Sequence, residues 1–241
     1  MGLQPPINDS RELEYGLEMI RGVLKGNDNP TVKDVLDPGL VDPSEEAAYS
    51  VYGLSFSAAV DDLSQWRAYG SGGGYAIGFP CQWGSSKTLQ RFALENGCIL
   101  GKVRYEEEEQ RRLAQMLVGE MRTSYRPFDR MSESTTVGRE SGPIIAGLIK
   151  DRSFESEKEW RLIGPYARPD EIQYRSGRTG ITPYIALNLD EGVRDEIVVT
   201  VGPCPDKELA KRAAAMVLGR GNLSSAIDRV SVSEIPYRDW G

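Results

Sequence analysis

The 241-residue chain carries 36 Asp and Glu against 29 Lys and Arg, a net charge of −7, with 39% hydrophobic residues and no histidine. This is the balance of an ordinary globular protein with enough chain for a sizeable core, and its acidity argues against broad electrostatic capture of nucleic acid. The missing histidine removes Ser-His-Asp and Cys-His catalysis, histidine metal sites and the usual base near neutral pH. Chemistry is left to carboxylates, Arg, Lys, Tyr, Ser and Cys.

Pro5-Pro6 precedes a helix expected from Ser10 to Leu24, capped by Asn8 or Asp9, with Leu13, Leu17, Ile20 and Leu24 on one face. Residues Gly26 to Pro43 read as a loop. Ser44 caps a second helix to about Ser50, which runs into a strand from Val51 to Ser57. Asp61 or Asp62 then caps a short helix to Tyr69, carrying Gln65 and Trp66. Trp66 and Tyr69 stand three apart, either as core or as an aromatic wall for a planar ligand.

Gly70-Ser-Gly-Gly-Gly74 is expected to be a flexible turn into a strand from Tyr75 to Phe79. It lacks the GK[ST] ending of a P-loop, and it runs helix-to-strand rather than strand-to-helix. A helix over 86–96, a strand over 99–105, a helix over 106–122 and a helix over 132–150 follow, the last open to a break at Gly142-Pro143. The acidic run from Glu106 to Glu109 suits a solvated helix start.

The last third is strand-rich. Strands are expected over 157–163, 171–174, 181–189, 196–201 and 229–232, with a helix from Asp206 to Leu218 turning Ala210, Ala214, Val217 and Leu218 inward. This order is neither strictly alternating nor segregated. It predicts an α+β fold, a mixed, mostly antiparallel sheet with helices packed around it. The domain reading is one α+β domain over 1–241 with a mainly helical insertion around 84–150.

Read as a strand from Phe154 to Ile163, the chain sorts by a period of two. Glu155, Glu157, Glu159 and Arg161 share one face; Phe154, Trp160 and Leu162 share the other with Ser156 and Lys158. Carboxylates at that spacing repel unless they are solvated or offset by a cation. A cleft holding them offers a general acid or base, or a carboxylate for a developing cation. An exposed face with a weak Glu159–Arg161 pair is the plain alternative. Ser55 and Ser57 alternate with Leu54 and Phe56, and without histidine they suit hydrogen bonding better than nucleophilic attack.

Cys81, Cys98 and Cys204 are odd in number and form no CxxC pair, so they read as buried thiols of a cytoplasmic protein. There is no signal peptide and no apolar run near the ~18 residues of a membrane span. The reading therefore expects no membrane partner, no bound metal and no resident cofactor. Asp61, Asp62, Glu157 and Glu159 around Mg²⁺ would make a carboxylate-metal hydrolase, but their spacing is not a metal motif.

Several segments resemble the bacterial domain of unknown function 2971. They are Asn8-Asp9 to Gly16, Ser55-Phe-Ser57 with Asp62 to Gly70, Gly74 to Phe79, Phe154 to Leu162, and Val201-Gly-Pro-Cys-Pro205 with Ser233 to Arg238. Their order looks like that of ADP-ribosyltransferases, with a His or Arg on a first strand, a Ser or Tyr on a middle strand and a Glu on a late one. The resemblance implies Glu157 and Glu159 as catalytic carboxylates. It implies Ser57, Gln65, Trp66, Tyr69, Arg161 and Arg175 as substrate-binding residues, with NAD as co-substrate. Ser57 would sit near the nicotinamide ribose, and Trp66 or Tyr69 would border the nicotinamide. The implied setting is toxin or phage defence in a bacterial cytoplasm, and the alternative is a non-catalytic nucleotide- or peptide-binding module. Family members carry a His-Tyr strand ahead of the Asn-Asp position. Its absence here implies either a truncated sequence or a lost residue.

Overall fold

Strand β1 (Gly2–Leu3) and helix α1 (Ser10–Lys25) open the chain. The stripe anticipated on α1 is real. Ile20 and Leu24 are buried against Ala114, Leu117, Val118 and Ala146, with Leu13 and Leu17 packed at the edge. Gly16 makes that approach feasible: a Cβ there would stand 2.3 Å from the Ala146 carbonyl oxygen. The computed structural model describes residues 2–3, 10–25, 51–70, 73–79, 89–123, 141–164, 169–177, 180–221 and 223–237. The loop expected over 26–43, the helix expected from Ser44 and Cys81 lie outside the described residues.

Strand β2 (Gly53–Ser57) is followed by helix α2 (Leu63–Tyr69), whose N-cap is Asp62, accepting from the Ser64 amide at 2.8 Å. Strand β3 (Tyr75–Gly78), helix α3 (Leu89–Glu95), strand β4 (Ile99–Lys102) and helix α4 (Glu107–Thr123) come next. The glycine turn into β3 needs glycine at Gly73, whose φ is +107°. On α4, Glu107 pairs with Arg111 and Glu108 with Arg112, all four exposed, as expected of a solvated helix start.

Helix α5 takes in 141–146, Pro143 among them. It stops at 146 rather than running to Lys150. Residues 147–150 instead cross to β4's end, where Arg104 bridges Ile149 in parallel. A 3₁₀ turn (Arg152–Glu157), strand β5 (Glu159–Ile163), a 3₁₀ turn (Pro169–Glu171) and the hairpin β6 (Ile172–Gly177) and β7 (Gly180–Ala186) follow. The expected single strand over Phe154 to Ile163 is thus split. Lys158 takes a left-handed φ of 47°, which breaks the period of two, so only Glu159 onward is extended.

Helix α6 (Glu191–Arg194), strand β8 (Val198–Val201), helix α7 (Lys207–Arg220), a 3₁₀ turn (Ser224–Arg229) and strand β9 (Val230–Val232) complete the fold. Asp206 caps α7 through the Leu209 amide at 2.8 Å. Ala214 and Leu218 face inward as expected, but Val217 is exposed, because two adjacent residues on a helix do not share a narrow buried stripe.

The α+β class holds, and among the described residues the strands form three three-stranded sheets rather than one. Their orders are β1-β7-β6, β2-β5-β4 and β3-β8-β9, antiparallel throughout except for the parallel β8–β9 pair. The chain divides into two compact units, each assembled from two stretches. The first unit takes Met1–Ser57 and Gly97–Leu187; the second takes Ala58–Asn96 and Asn188–Gly241. The second has its own core of Ile197, Val199, Val201, Ala214, Leu218 and Val230. Among the described residues no helix is long and apolar enough to cross a membrane.

Candidate functional site

In the first unit, β5 lies between β2 and β4. Its register sets Arg161 opposite Ser55 and Gly101, and Glu159 opposite Ser57. Cross-strand partners share a face, so Ser55, Ser57, Glu159, Arg161 and Gly101 form one surface of the sheet. Gly101 leaves room for the crossing segment: a Cβ there would stand 2.7 Å from Leu148 Cδ2. That segment delivers Lys150 above the carboxylates.

The result is a buried charge cluster. Arg161 grips Glu159 through two bonds, Nε to Oε1 at 2.6 Å and Nη2 to Oε2 at 3.0 Å, and donates Nη1 to the Gly147 carbonyl at 2.7 Å. Lys150 Nζ reaches Glu159 Oε2 at 3.1 Å and Glu157 Oε2 at 2.6 Å, with the Phe154 ring centroid 4.7 Å away. The Tyr105 hydroxyl accepts the Glu159 amide at 3.0 Å, and Ser57 donates to the Glu157 carbonyl at 2.7 Å. Gln110, fully buried, donates to the Lys150, Arg104 and Tyr105 carbonyls. Two cations thus meet two carboxylates. Such burial is tolerable only with this degree of pairing and hydrogen bonding.

Burial alone would raise the Glu159 pKa. The hydrogen bonds and charge of Arg161, the Ser55 hydroxyl and the charge of Lys150 outweigh it and hold this carboxyl below its ordinary range. Glu159 is 5% exposed and Arg161 1%, so the exposed face with a weak ion pair is not what forms. Glu157 differs. Its side chain is 25% exposed, and among the described residues no donor meets its Oε1. Trp160 is half-buried on the opposite face. Glu155 is exposed on the 3₁₀ turn and has left the strand face altogether.

The other anticipated residues fall elsewhere. Gln65, Trp66 and Tyr69 belong to α2 of the second unit. Trp66 is buried and donates Nε1 to Asp61 Oδ1 at 2.8 Å. Its ring is closed in by Gly70 and Gly202, where an added Cβ would stand 2.8 Å from the indole. Tyr69, by contrast, is 78% exposed, so the two aromatics do not share an environment. Asp61 Oδ2 accepts the Glu234 amide at 2.8 Å. Burial acts to raise its pKa, but bonds from Ser233, Trp66 and Glu234 and the charge of Lys207 hold it low. Arg175 lies on β6 with its guanidinium 5.9 Å from the Tyr184 ring centroid. Among the described residues no group of three or more Cys, Asp or Glu could hold a metal ion.

Lys150, Tyr105 and Gln110 were not anticipated. One signal for Lys150 existed: alternating carboxylates need an offsetting cation, and Arg161 alone cannot neutralise two. Cys98 and Cys204 are buried, and burial pushes the Cys98 thiol up to about 11, which makes it unreactive.

Residues 65–162 match the family model described as "Protein of unknown function (DUF2971)". No curated protein and no solved structure matches. The matched segment runs from Gln65 to Leu162, and so contains Lys150, Glu157, Glu159 and Arg161 but neither Ser57 nor Arg175.

Proposed function

We propose, from the match of residues 65–162 to the DUF2971 family model, an ADP-ribosyltransferase-like activity on NAD in which Glu157 meets the substrate and Glu159 positions it. The observation that carries this reading is Glu157 itself, a carboxylate whose side chain is 25% exposed while a buried lysine holds it at 2.6 Å. Transfer of ADP-ribose breaks the bond between nicotinamide and ribose. The electron pair leaves with nicotinamide and an oxocarbenium-like ribose develops. A carboxylate close to that ribose stabilises the charge or binds its hydroxyl. The acceptor, water or a nucleophile on another molecule, loses its proton as the new bond forms. Glu159 is spent on Arg161 and Lys150, and its role is to hold the strand and the lysine in place. The setting proposed is defence or toxicity inside a bacterial cell.

The test is nicotinamide release from NAD⁺ by wild type, Glu157→Gln and Glu159→Gln. Release by wild type with loss of about two orders of magnitude in Glu157→Gln is the expected result. No release by folded wild type, or equal release by Glu157→Gln, overturns it.

A second reading is a non-catalytic nucleotide- or peptide-binding module. The self-neutralised pairing of Glu159 favours it, since a charge already matched has little to offer a transition state. It predicts a thermal shift with NAD⁺ or ADP-ribose that survives in Glu157→Gln without any turnover.

A further inference from the structure

The 3₁₀ turn Arg152–Glu157 meets the charge cluster through Glu157 and Phe154, both against Lys150, and buries no residue of its own. What fastens it is polar. Glu157 binds Lys150 at 2.6 Å, Ser57 donates to the Glu157 carbonyl at 2.7 Å, and Phe154 lies over the Lys150 ammonium while staying 43% exposed. Arg152 reaches Glu106 at 3.1 Å through two exposed side chains, an attachment of little strength. Asp151 caps the turn at one end through the Ser153 amide. At the other end Lys158 holds a left-handed φ of 47°, a conformation that costs a non-glycine residue about 1 kcal/mol or more. Immediately beyond it, Glu159, Arg161, Leu162 and Ile163 are all buried, Glu159 paired with β2 and the other three paired on both sides.

A segment with no buried side chain and a strained end belongs to the low-stability part of a fold. We infer that Arg152–Glu157 is a strap that opens as a unit over Glu159 and Lys150, and that the Lys150–Glu157 and Ser57–Glu157 contacts set how often it opens. Closed, the strap leaves Glu157 as the surface carboxylate and seals Glu159. Open, it releases Lys150 from one partner and brings Glu159 to solvent. This regulates the site proposed above and rests on that reading only for its biological purpose; the opening itself is a property of the fold.

Hydrogen exchange measured on the full chain tests it without reference to catalysis. In wild type, the amides of Phe154 and Lys158, each bonded within the turn, should exchange at least about tenfold faster than those of β5. Glu157→Gln and Ser57→Ala should each raise exchange across 153–158 by about fivefold or more while leaving β5 unchanged. Carbodiimide coupling of glycine ethyl ester supplies a second readout. Glu159 should be labelled slowly in wild type and faster in Ser57→Ala. Exchange in the turn as slow as in β5, or variants that move the turn and β5 together, overturns the strap. Loss of nicotinamide release with normal strap opening would instead count against the ADP-ribosyl reading alone.

Discussion

Two carboxylates of this protein are held ionised by opposite means. Glu159, in the first unit, is sealed between two full cations, Arg161 and Lys150. Asp61, in the second, is half-buried and held mainly by dipoles, the Trp66 indole, the Glu234 amide and the Ser233 hydroxyl, with Lys207 as a more distant charge. The first arrangement is expensive to assemble and costlier still to leave incomplete, because any unpaired member is a buried charge. The second is a set of ordinary hydrogen bonds, each contributing about 1 kcal/mol. It also tolerates a left-handed backbone at Asp61, whose φ is 51°, a conformation for which Asp is among the less reluctant residues. The lesson is that a depressed carboxyl pKa does not by itself mark a site. What separates the candidate from the fastener is a neighbouring carboxylate that shares the same cation and still reaches solvent, as Glu157 does beside Glu159.

The contrast can be broken most forcefully at Arg161. Arg161→Met should lower unfolding free energy by about 3–5 kcal/mol, since Glu159 then keeps one cation where it had two. A urea midpoint within error of wild type would show that the cluster is hydrated rather than sealed. In the second unit, Gly202→Ala drives a methyl to 2.8 Å from the Trp66 ring and 3.0 Å from the Gly74 carbonyl oxygen. A cost of about 1–3 kcal/mol is expected, with a blue-to-red change in tryptophan emission as the ring yields. Asp61→Asn should cost about 1–2 kcal/mol, because an amide nitrogen must then face either the indole N–H or the Glu234 N–H.

The pH dependence sharpens the same contrast. Both Glu159 and Asp61 titrate lower in the folded state than in the unfolded one. Each therefore contributes stability fully present above the unfolded carboxylate value of about 4 and lost as pH falls through the folded pKa. Denaturation midpoints should hold from neutral pH down to about 5 and then decline. In Asp61→Asn the decline should be shallower, and an unchanged slope would remove Asp61 from the account. The smallest effect belongs to Ser57→Ala, about 0.5–1.5 kcal/mol by global unfolding, despite its larger local effect on the strap.

Much of the fold was legible in the sequence where the signal is local. The i, i+4 stripe of α1 and the caps Asp62 and Asp206 fixed their helices to within a residue or two. The acidic first turn of α4 did the same. The candidate site was legible in its parts but not in its state. Glu159 and Arg161 were paired by spacing. Their burial depends on Lys150 and Gly101, which arrive from other elements and leave no periodic trace. The break at Lys158 is a backbone event that an alternating run of Glu, Ser and Lys does not announce. The two units were hidden for a related reason. Each is built from two separated stretches, and the crossings after Ser57, Asn96 and Leu187 carry no linker composition. Trp66 and Tyr69 looked equivalent until the glycines at 70 and 202 reserved one pocket for the indole alone.

The position of β5 has a consequence for synthesis. β2 and β4 emerge from the ribosome first, and neither pairs with the other; both wait for Glu159–Ile163 to slot between them, Gly53 opposite Ile163 and Ile99 opposite the same residue. Until then Leu54, Phe56 and Leu100 lie on strands with open edges. Unpaired strand edges of this kind are what makes a folding intermediate prone to aggregate, and the arrival of one short strand closes the inner edge of both at once.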